Sequence, residues 1–262
     1  YRDLHTSTQR VSECVPGRRL AWTVLESRLS FVKDTSEWDG TQIIFDLLMA
    51  RFPEHGFVGE ESAPNGSGRD FVWVVDPLDG TKNFAHGYPH VAVSIGLIFQ
   101  GTPIVGVIYD PVRQELFEAA KGKGATLNGK PISVSERGSL HEALLVTGFG
   151  LGIDLEHKIF TDLEILSQGV RRDGSAALDF CNVAAGRLDA YFQLNLAPWD
   201  VAAGLLLVQE AGGMVTDYRG RDYRFSLEKR PGQQLVATNV RLHRQILDVL
   251  APHLPGLERH CH

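Results

Sequence analysis

Hydrophobic positions in the first part of the chain change from a helical spacing to a strand-like one. Residues 38–52 place apolar side chains at helical intervals before Pro53, which predicts a helix that ends there. Apolar runs follow, separated by short turns that contain Gly or Pro. These runs cover 71–75, 91–99, 104–109 and 115–120. Runs joined in this way indicate an antiparallel meander, and 121–131 is predicted to form a hairpin tip.

Strand-like and helix-like segments alternate after about residue 140. We predict strands at 142–149, 189–194, 214–218 and 233–239, and helices at 154–168, 174–186, 200–213 and 240–250. Such alternation is typical of α/β structure. The chain is therefore predicted to have an α+β half, residues 1–138, and an α/β half, residues 139–256, without a flexible linker between them.

The composition is that of an ordinary globular chain with a mild excess of acid. Of 262 residues, 43% are hydrophobic, which is enough for a sizeable core, and the net charge is −6. The lack of a basic stripe argues against a nucleic-acid partner. No apolar run reaches the roughly 18 residues of a membrane span, and the first residues do not resemble a signal peptide. Three scattered cysteines fit a reducing compartment, so we expect a cytoplasmic protein; residues 257–262 are interpreted as a vector remnant.

Two acids directly follow the first strand-like run. Asp76 and Asp79 stand after 71–75, and we expect strand pairing to end at Pro77 because proline has no N–H to donate. Two carboxylates that are so close together and partly buried repel each other unless one is protonated or both are paired. A divalent cation removes this repulsion, and oxygen-only ligands suit Mg²⁺. The alternative is a simple turn, with Asp79 as a helix cap.

Two further acidic stretches stand at the ends of apolar elements. Glu60 and Glu61 follow one apolar segment, and Asp200 begins a strongly helical one. Taken alone, the glutamates are typical of a solvated surface, and the aspartate is typical of a helix N-cap. Three such stretches together are more than surface solvation needs, which favours a shared cation site.

The three acidic stretches carry a family resemblance. The motifs GEES at 59–62, DPLDGTKNF at 76–84 and PWDVAAG at 198–204, in this order and spacing, resemble the inositol monophosphatase family of metal-dependent, lithium-sensitive phosphatases. The resemblance extends over roughly residues 55–245. The combination of the Asp-Pro-Leu-Asp-Gly-Thr stretch with the later Trp-Asp is the specific part.

The resemblance implies a fold and an activity. The expected fold is a layered αβαβα sandwich of the sugar-phosphatase type, with an antiparallel sheet in the N-terminal half and an α/β C-terminal half. The N-terminal half would carry most metal ligands, and the C-terminal half would carry Asp200 and the substrate contacts. The expected protein is a homodimeric phosphoric monoester hydrolase of the inositol-1-monophosphatase type, acting on a small phosphomonoester.

The resemblance also implies a set of metal ligands. Glu60, Asp76 and the backbone carbonyl of Leu78 would hold one Mg²⁺ ion. Asp76, Asp79 and Asp200 would hold a second, and a third, weaker ion would bind near Glu60. An Asp76 shared by two cations would explain why two acids stand so close together.

Catalytic roles follow from the same resemblance. A metal-activated water, hydrogen-bonded to Glu60 and Thr81, would attack phosphorus in line. The ion held by Asp79 and Asp200 would neutralise the leaving oxygen. Backbone N–H groups of Gly80 and Thr81 would hold the phosphate.

The substrate's alcohol part would be bound by the second half of the chain. By resemblance, Ala176 and Gln193 face its hydroxyl groups, beyond the phosphate end lined by Asp79 and Asp200. Inositol-cleaving members usually have Glu where this chain has Gln193, so the preference for inositol phosphate is open. Asp173 is a further candidate contact.

Several alternatives stay open at the level of sequence. The family's Val-Thr-x-x-Asp stretch, whose Asp supports the catalytic Thr, is altered here, and Asp34, Glu37 and Asp39 are all candidates for that Asp. Histidinol-phosphate, fructose-1,6-bisphosphate and NADP phosphatases on the same site remain possible, as does a catalytically silent metal-binding member. His86 and His90 are interpreted as loop residues and not as zinc ligands, because no Cys or His partner stands at ligand spacing.

Overall fold

The computed structural model describes residues 40–60, 66, 68–149, 154–228 and 233–255. The helices of this part are α1 (Gly40–Arg51), α2 (Thr81–Ala85), α3 (Asp154–Leu166), α4 (Ala176–Ala184), α5 (Pro198–Glu210) and α6 (His243–Leu250). Its strands are β1 (Gly56–Gly59), β2 (Phe71–Asp79), β3 (Ala92–Phe99), β4 (Thr102–Asp110), β5 (Glu115–Ala120), β6 (Ala125–Leu127), β7 (Lys130–Ile132), β8 (Leu145–Thr147), β9 (Val170–Arg171), β10 (Ala190–Leu194), β11 (Met214–Thr216) and β12 (Gln234–Thr238). None of the described helices has both the length and the apolar composition that a membrane span needs.

The first sheet contains seven strands in chain order, from β1 to β7. Strand β1 pairs with β2 in parallel, and each later strand pairs with its predecessor in antiparallel orientation. The predicted meander and its hairpin tip, β6 to β7, are therefore confirmed. Short turns suffice for such connections because antiparallel neighbours meet at the same end of the sheet.

Strand β2 runs further than the sequence predicted. Pairing continues past Pro77, since Asp76 lies opposite Ser94 and Asp79 lies opposite Ala92. The prediction that pairing ends at Pro77 is therefore wrong. The register shifts between Asp76 and Asp79, and Pro77 falls within this irregular stretch, where its missing N–H removes no regular ladder bond.

The second sheet contains five strands in the order β11-β12-β10-β8-β9. Strands β8, β9 and β10 run parallel, whereas β12 is antiparallel to both β10 and β11. The predicted alternation of strands and helices is confirmed, with element ends that differ by a few residues. Helix α5, for example, begins at Pro198, because proline is well tolerated in the first turn of a helix.

Helices and sheets alternate in five layers. Helices α4 and α5 lie between the two sheets and share one core with side chains from both of them. Helix α1 covers the outer face of the first sheet. Helices α3 and α6 cover the outer face of the second sheet. This arrangement is the layered αβαβα sandwich that the resemblance implied.

The two predicted halves of the chain pack against each other, so no clear boundary separates them in space. The predicted boundary at residue 138 falls between the last strand of the first sheet and the first strand of the second. Helix α5 belongs to the C-terminal half but packs against strands β2 to β5 of the N-terminal half. We propose that the two halves are units of the chain that share one core.

Small residues let helix α5 lie very close to the first sheet. A Cβ atom built on Gly96 would come within 2.7 Å of the Ala202 Cβ, and one built on Gly106 would come within 2.7 Å of the Ala203 carbonyl oxygen. The sheet therefore has no room for side chains at these two positions. This close approach sets the position of Asp200, which lies in the first turn of the same helix.

Candidate active site

A tight turn joins β2 to the short helix α2. Gly80 adopts φ 87°, in the left-handed region that favours glycine. A Cβ at this position would come within 2.8 Å of the His90 carbonyl oxygen, so a side chain is excluded by space as well as by conformation. The chain therefore turns at Gly80, and α2 begins at Thr81.

The side chain of Asn83 holds α2 in place. Its Nδ2 donates hydrogen bonds to the carbonyl oxygens of His90 and Asp173, each at 2.8 Å. These two acceptors belong to the segments before β3 and before α4. The sequence carries only a weak signal for this structural role, which is an asparagine inside a five-residue helix, where its amide competes with helical hydrogen bonds.

Three carboxylates from distant parts of the chain converge beside this turn. Asp76 and Asp79 lie at the end of β2, and Asp200 lies in the first turn of α5. One ligand oxygen from each lies within 4.8 Å of the others. Glu60 directly follows β1, the strand next to β2, and its charge raises the pKa of Asp76. The four acids to which the resemblance assigns metal binding therefore share one neighbourhood.

Asp79 is fixed by the N-terminus of helix α4. Its Oδ2 accepts hydrogen bonds from the hydroxyl of Ser175 and from the backbone N–H of Ala177, the latter at 2.9 Å. A negative charge is favourable at this end of a helix. Sequence reasoning missed Ser175 as a partner of Asp79. Its only sequence signal was that of a serine just before a helix, which marks an N-cap and not a contact 96 residues away.

Asp76 and Asp200 are each held by a nearby main-chain N–H group. Asp76 Oδ1 accepts from the N–H of Leu78 at 2.9 Å. Asp200 Oδ2 accepts from the N–H of Ala197 at 2.7 Å, which is the capping arrangement expected of an acid in the first turn of a helix. The interpretation of Asp200 as the helix N-cap is therefore wrong. The N-cap is Ala197, and Asp200 is the third residue of the helix, from which its side chain binds back to the N-cap while it also joins the carboxylate cluster.

Burial and mutual repulsion dominate the electrostatics of the cluster. Burial raises the pKa of Asp76 well above its usual range, and the charges of Asp79, Glu60 and Asp200 raise it further, against the opposing N–H of Leu78. Burial also raises the pKa of Asp79, against its hydrogen bonds. Buried, oxygen-only, mutually repelling ligands are the donor set that a hard divalent cation satisfies, so the residues present fit Mg²⁺.

We expect Mg²⁺ to raise the melting temperature more at about pH 8 than at about pH 5. A carboxyl whose folded pKa is raised favours the folded state at low pH, and this stability is lost as the pH rises above its unfolded pKa of about 4. Cation binding offsets this loss and competes with the proton. Thermal unfolding with Mg²⁺ and with a chelator, at both pH values, measures how much the ion raises the melting temperature. An increase at pH 8 that is equal to or smaller than the increase at pH 5 would contradict the expectation.

Thr81 lies beside another group of the predicted site. The Thr81 hydroxyl donates to the carbonyl oxygen of Leu78 at 3.1 Å, so these two predicted site groups are neighbours. The candidates for the supporting acid, Asp34, Glu37 and Asp39, lie outside the described residues. Glu61 lies outside them as well.

The two predicted contacts to the substrate's alcohol part lie on different elements. Ala176 is the first residue of α4, between the two residues that bind Asp79. Gln193 lies on β10, where its Oε1 accepts a hydrogen bond from the hydroxyl of the fully buried Tyr191 at 2.7 Å. Burial raises the pKa of that tyrosine well above its usual range, and the charges of Asp179, Asp200 and Asp79 raise it further.

Comparison with known proteins agrees with this geometry. The chain matches the sequence profile of the inositol monophosphatase family over residues 26–256. It is 47% identical to an inositol-1-monophosphatase of Synechocystis, over 80% of this chain and 73% of that protein. It is 46% identical to a Pseudomonas aeruginosa protein named Nus factor SuhB, over 82% of this chain and 80% of that protein.

A solved structure of an inositol monophosphatase has the same fold. An inositol monophosphatase from Anabaena superposes with a TM-score of 0.75 at 42% identity, over 81% of this chain and 84% of the other. The fold and the carboxylate cluster thus define a phosphatase, a hydrolase of phosphoric monoesters. The chain belongs to the inositol monophosphatase family.

Proposed function

We propose that this phosphatase hydrolyses inositol-1-phosphate, or a similar small polyol or sugar phosphate, with Mg²⁺ as its cofactor. The observation that carries the proposal is the convergence of Asp76, Asp79 and Asp200, whose ligand oxygens lie within 4.8 Å of one another. The name and the 47% identity of the Synechocystis relative support the choice of substrate.

Five groups of this chain would hold the ions. Glu60, Asp76 and the Leu78 carbonyl form the proposed first site, with a third, weaker ion also near Glu60. Asp76, Asp79 and Asp200 form the second. When bound, Mg²⁺ makes water nucleophilic near neutral pH and neutralises negative charge on the leaving oxygen.

The chain's own groups orient the reactants around these sites. The Thr81 hydroxyl donates to Leu78, so the lone pairs of its oxygen are left to accept a hydrogen bond from water. Glu60, exposed at the rim, is the proposed acceptor of that water's proton. The backbone N–H groups of Gly80 and Thr81 stand where the first N–H groups of a helix lack helical partners, and we assign the phosphate to them.

A substrate panel tests the proposal. Phosphate release should be measured as kcat/KM for inositol-1-phosphate, histidinol phosphate, fructose-1,6-bisphosphate, NADP and adenosine 3′,5′-bisphosphate, with Mg²⁺ and with a chelator. We expect release only with Mg²⁺ and the largest kcat/KM for inositol-1-phosphate. A larger value for another substrate would support one of the alternative phosphatases. No release from any substrate with Mg²⁺ would support the catalytically silent alternative.

The variant Gln193→Glu is expected to increase the preference for inositol-1-phosphate over glycerol phosphate by about tenfold. The glutamate can keep accepting the Tyr191 hydroxyl, and its second oxygen adds a charged acceptor for a ring hydroxyl, worth roughly 1.5 kcal/mol. The ratio of kcat/KM for the two substrates measures this change. The exposed Gln209→Glu should leave the ratio unchanged, and an unchanged ratio in both variants would argue against a substrate contact at Gln193.

Three further features remain proposals. We propose a homodimer in the cytoplasm, with small phosphomonoesters as the main partners. The expectation of no nucleic-acid partner rests on the lack of a basic stripe in the sequence. One relative carries the name Nus factor, so binding to nucleic acid should be measured alongside catalysis.

A further inference from the structure

A second group of potential metal ligands lies outside the carboxylate cluster. It consists of His90, just before β3, Asp173, just before α4, and Asp179, within α4. One ring nitrogen and one oxygen from each carboxylate lie within 4.8 Å of one another. None of these residues is among the proposed Mg²⁺ ligands.

Two atoms of this group are buried without hydrogen-bond partners. The residues are 5% exposed (His90) and 1% exposed (Asp179), and neither the Nε2 of the histidine nor the Oδ1 of the aspartate has a partner. A buried carboxylate oxygen or imidazole nitrogen left unpaired costs free energy, because water would otherwise satisfy it. Both atoms belong to residues whose ligand groups approach one another, so one shared ion is a partner that both residues can bind.

The charges around the group favour a cation. Burial raises the pKa of Asp179 well above its usual range, and the charges of Asp79 and Asp173 raise it further. Burial is also the main influence on His90 and lowers its pKa; of the weaker charges, Asp173 raises it and Arg113 lowers it. A neutral imidazole offers a lone pair, and it does not neutralise the adjacent carboxylates.

A cavity gives access to two members of the group. It has a volume of about 240 Å³ and is lined by His90 and Asp173 among other residues. Two arginines also line it, Arg113 and Arg187, and each of them pairs with an acid of the same cavity wall. Both arginines are therefore already paired with acids, and the cavity is large enough for a small ion to reach His90 and Asp173.

We propose that His90, Asp173 and Asp179 bind one divalent transition-metal ion, for which Zn²⁺ is the best fit. This proposal replaces the sequence-based interpretations of His90 as a loop residue and of Asp173 as a substrate contact. One imidazole nitrogen and two carboxylate oxygens suit a borderline ion such as Zn²⁺ better than Mg²⁺ or Ca²⁺, which prefer oxygen alone. Two carboxylates balance the charge of the ion. This site is separate from the proposed Mg²⁺ sites and would stand if the proposed substrate were wrong.

The position of the site gives it a structural role. Asn83 already links the main chain at His90 to the main chain at Asp173, and both segments support α2. An ion bound to their side chains and to Asp179 would fix the same two segments to helix α4, whose N-terminus binds Asp79. We therefore expect Zn²⁺ to raise the melting temperature of the protein in saturating Mg²⁺.

Anomalous diffraction tests the location directly. Crystals of the whole chain grown with Zn²⁺ and excess Mg²⁺ should show a peak at the zinc absorption edge about 2.0–2.2 Å from His90 and Asp179. A map with no peak there, or with peaks only at the Asp76–Asp79–Asp200 cluster, would overturn the proposal. This measurement needs no variant, so it stands even where a substitution impairs folding.

Zinc binding in solution gives an independent test. Equilibrium dialysis against Zn²⁺ with excess Mg²⁺ should show one bound ion fewer per chain in His90→Gln and in Asp179→Asn than in the wild type. The exposed His141→Gln serves as the matched control and should keep the wild-type number. Wild-type stoichiometry in folded His90→Gln and Asp179→Asn, with folding checked by circular dichroism, would contradict the assignment.

Discussion

Asp76→Asn is expected to reduce phosphate release by roughly a thousandfold or more while making the ion-free protein more resistant to heat. Asp76 is the acid proposed to be shared by two cations, and several kcal/mol of transition-state stabilisation depend on them. The same residue is buried among three other acids that raise its pKa. Asparagine removes the repulsion and keeps an oxygen that can accept from the N–H of Leu78. Opposite changes in activity and stability distinguish a cation ligand from a residue that only maintains the fold.

The measurement combines steady-state kinetics with thermal unfolding, with and without Mg²⁺. Mg²⁺ should raise the melting temperature of the wild type and have a much smaller effect on Asp76→Asn. The exposed Asp154→Asn, on α3, should behave like the wild type in both assays. Full activity in Asp76→Asn would remove the basis of the two-ion assignment.

Gly106→Ala is expected to lower the free energy of unfolding by about 1–3 kcal/mol, because the new methyl group overpacks the contact between sheet and helix. The new Cβ would lie 2.7 Å from the carbonyl oxygen of Ala203, and the obstructing atom belongs to a helix backbone that cannot rotate away. Helix α5 must then move as a unit and take Asp200 with it. Because small displacements of reacting groups are costly, we also expect activity to fall by about tenfold.

Chemical denaturation and kinetics on the same variant check both parts. Gly138→Ala is the matched control, since a Cβ there would meet no atom within 4 Å. A Gly106→Ala protein as stable and as active as the control would show that the contact between α5 and the sheet tolerates a methyl group.

Local patterns in the sequence predicted most elements correctly. Continuous apolar runs identified strands β2 to β5, and helices α4 and α5 were both predicted. These elements depend on neighbours within a few residues, so hydrophobic periodicity is a sufficient guide to them. The end of β2 was misjudged because the strand resumes pairing after an irregularity at Pro77, which only the partner strand makes visible.

The site was predictable where acids stand in recognisable motifs. Asp76, Asp79, Asp200 and Glu60 were found because each follows or begins an apolar element, and because their combined spacing resembles a known family. The groups that hold these acids were not found. Ser175 is 96 residues from the Asp79 that it binds, and Asn83 is 90 residues from the Asp173 carbonyl that it holds.

The sequence by itself therefore determined which elements form, which acids stand at their ends and which family the motifs resemble. Only the tertiary structure decided that helix α5 lies against Gly96 and Gly106, that α4 fixes Asp79, and that His90 meets two aspartates. The physical reason is how far apart along the chain the interacting residues stand. Periodicity and turn preferences are set by adjacent residues, whereas the contacts that shape a site depend on how layers distant in the chain pack together.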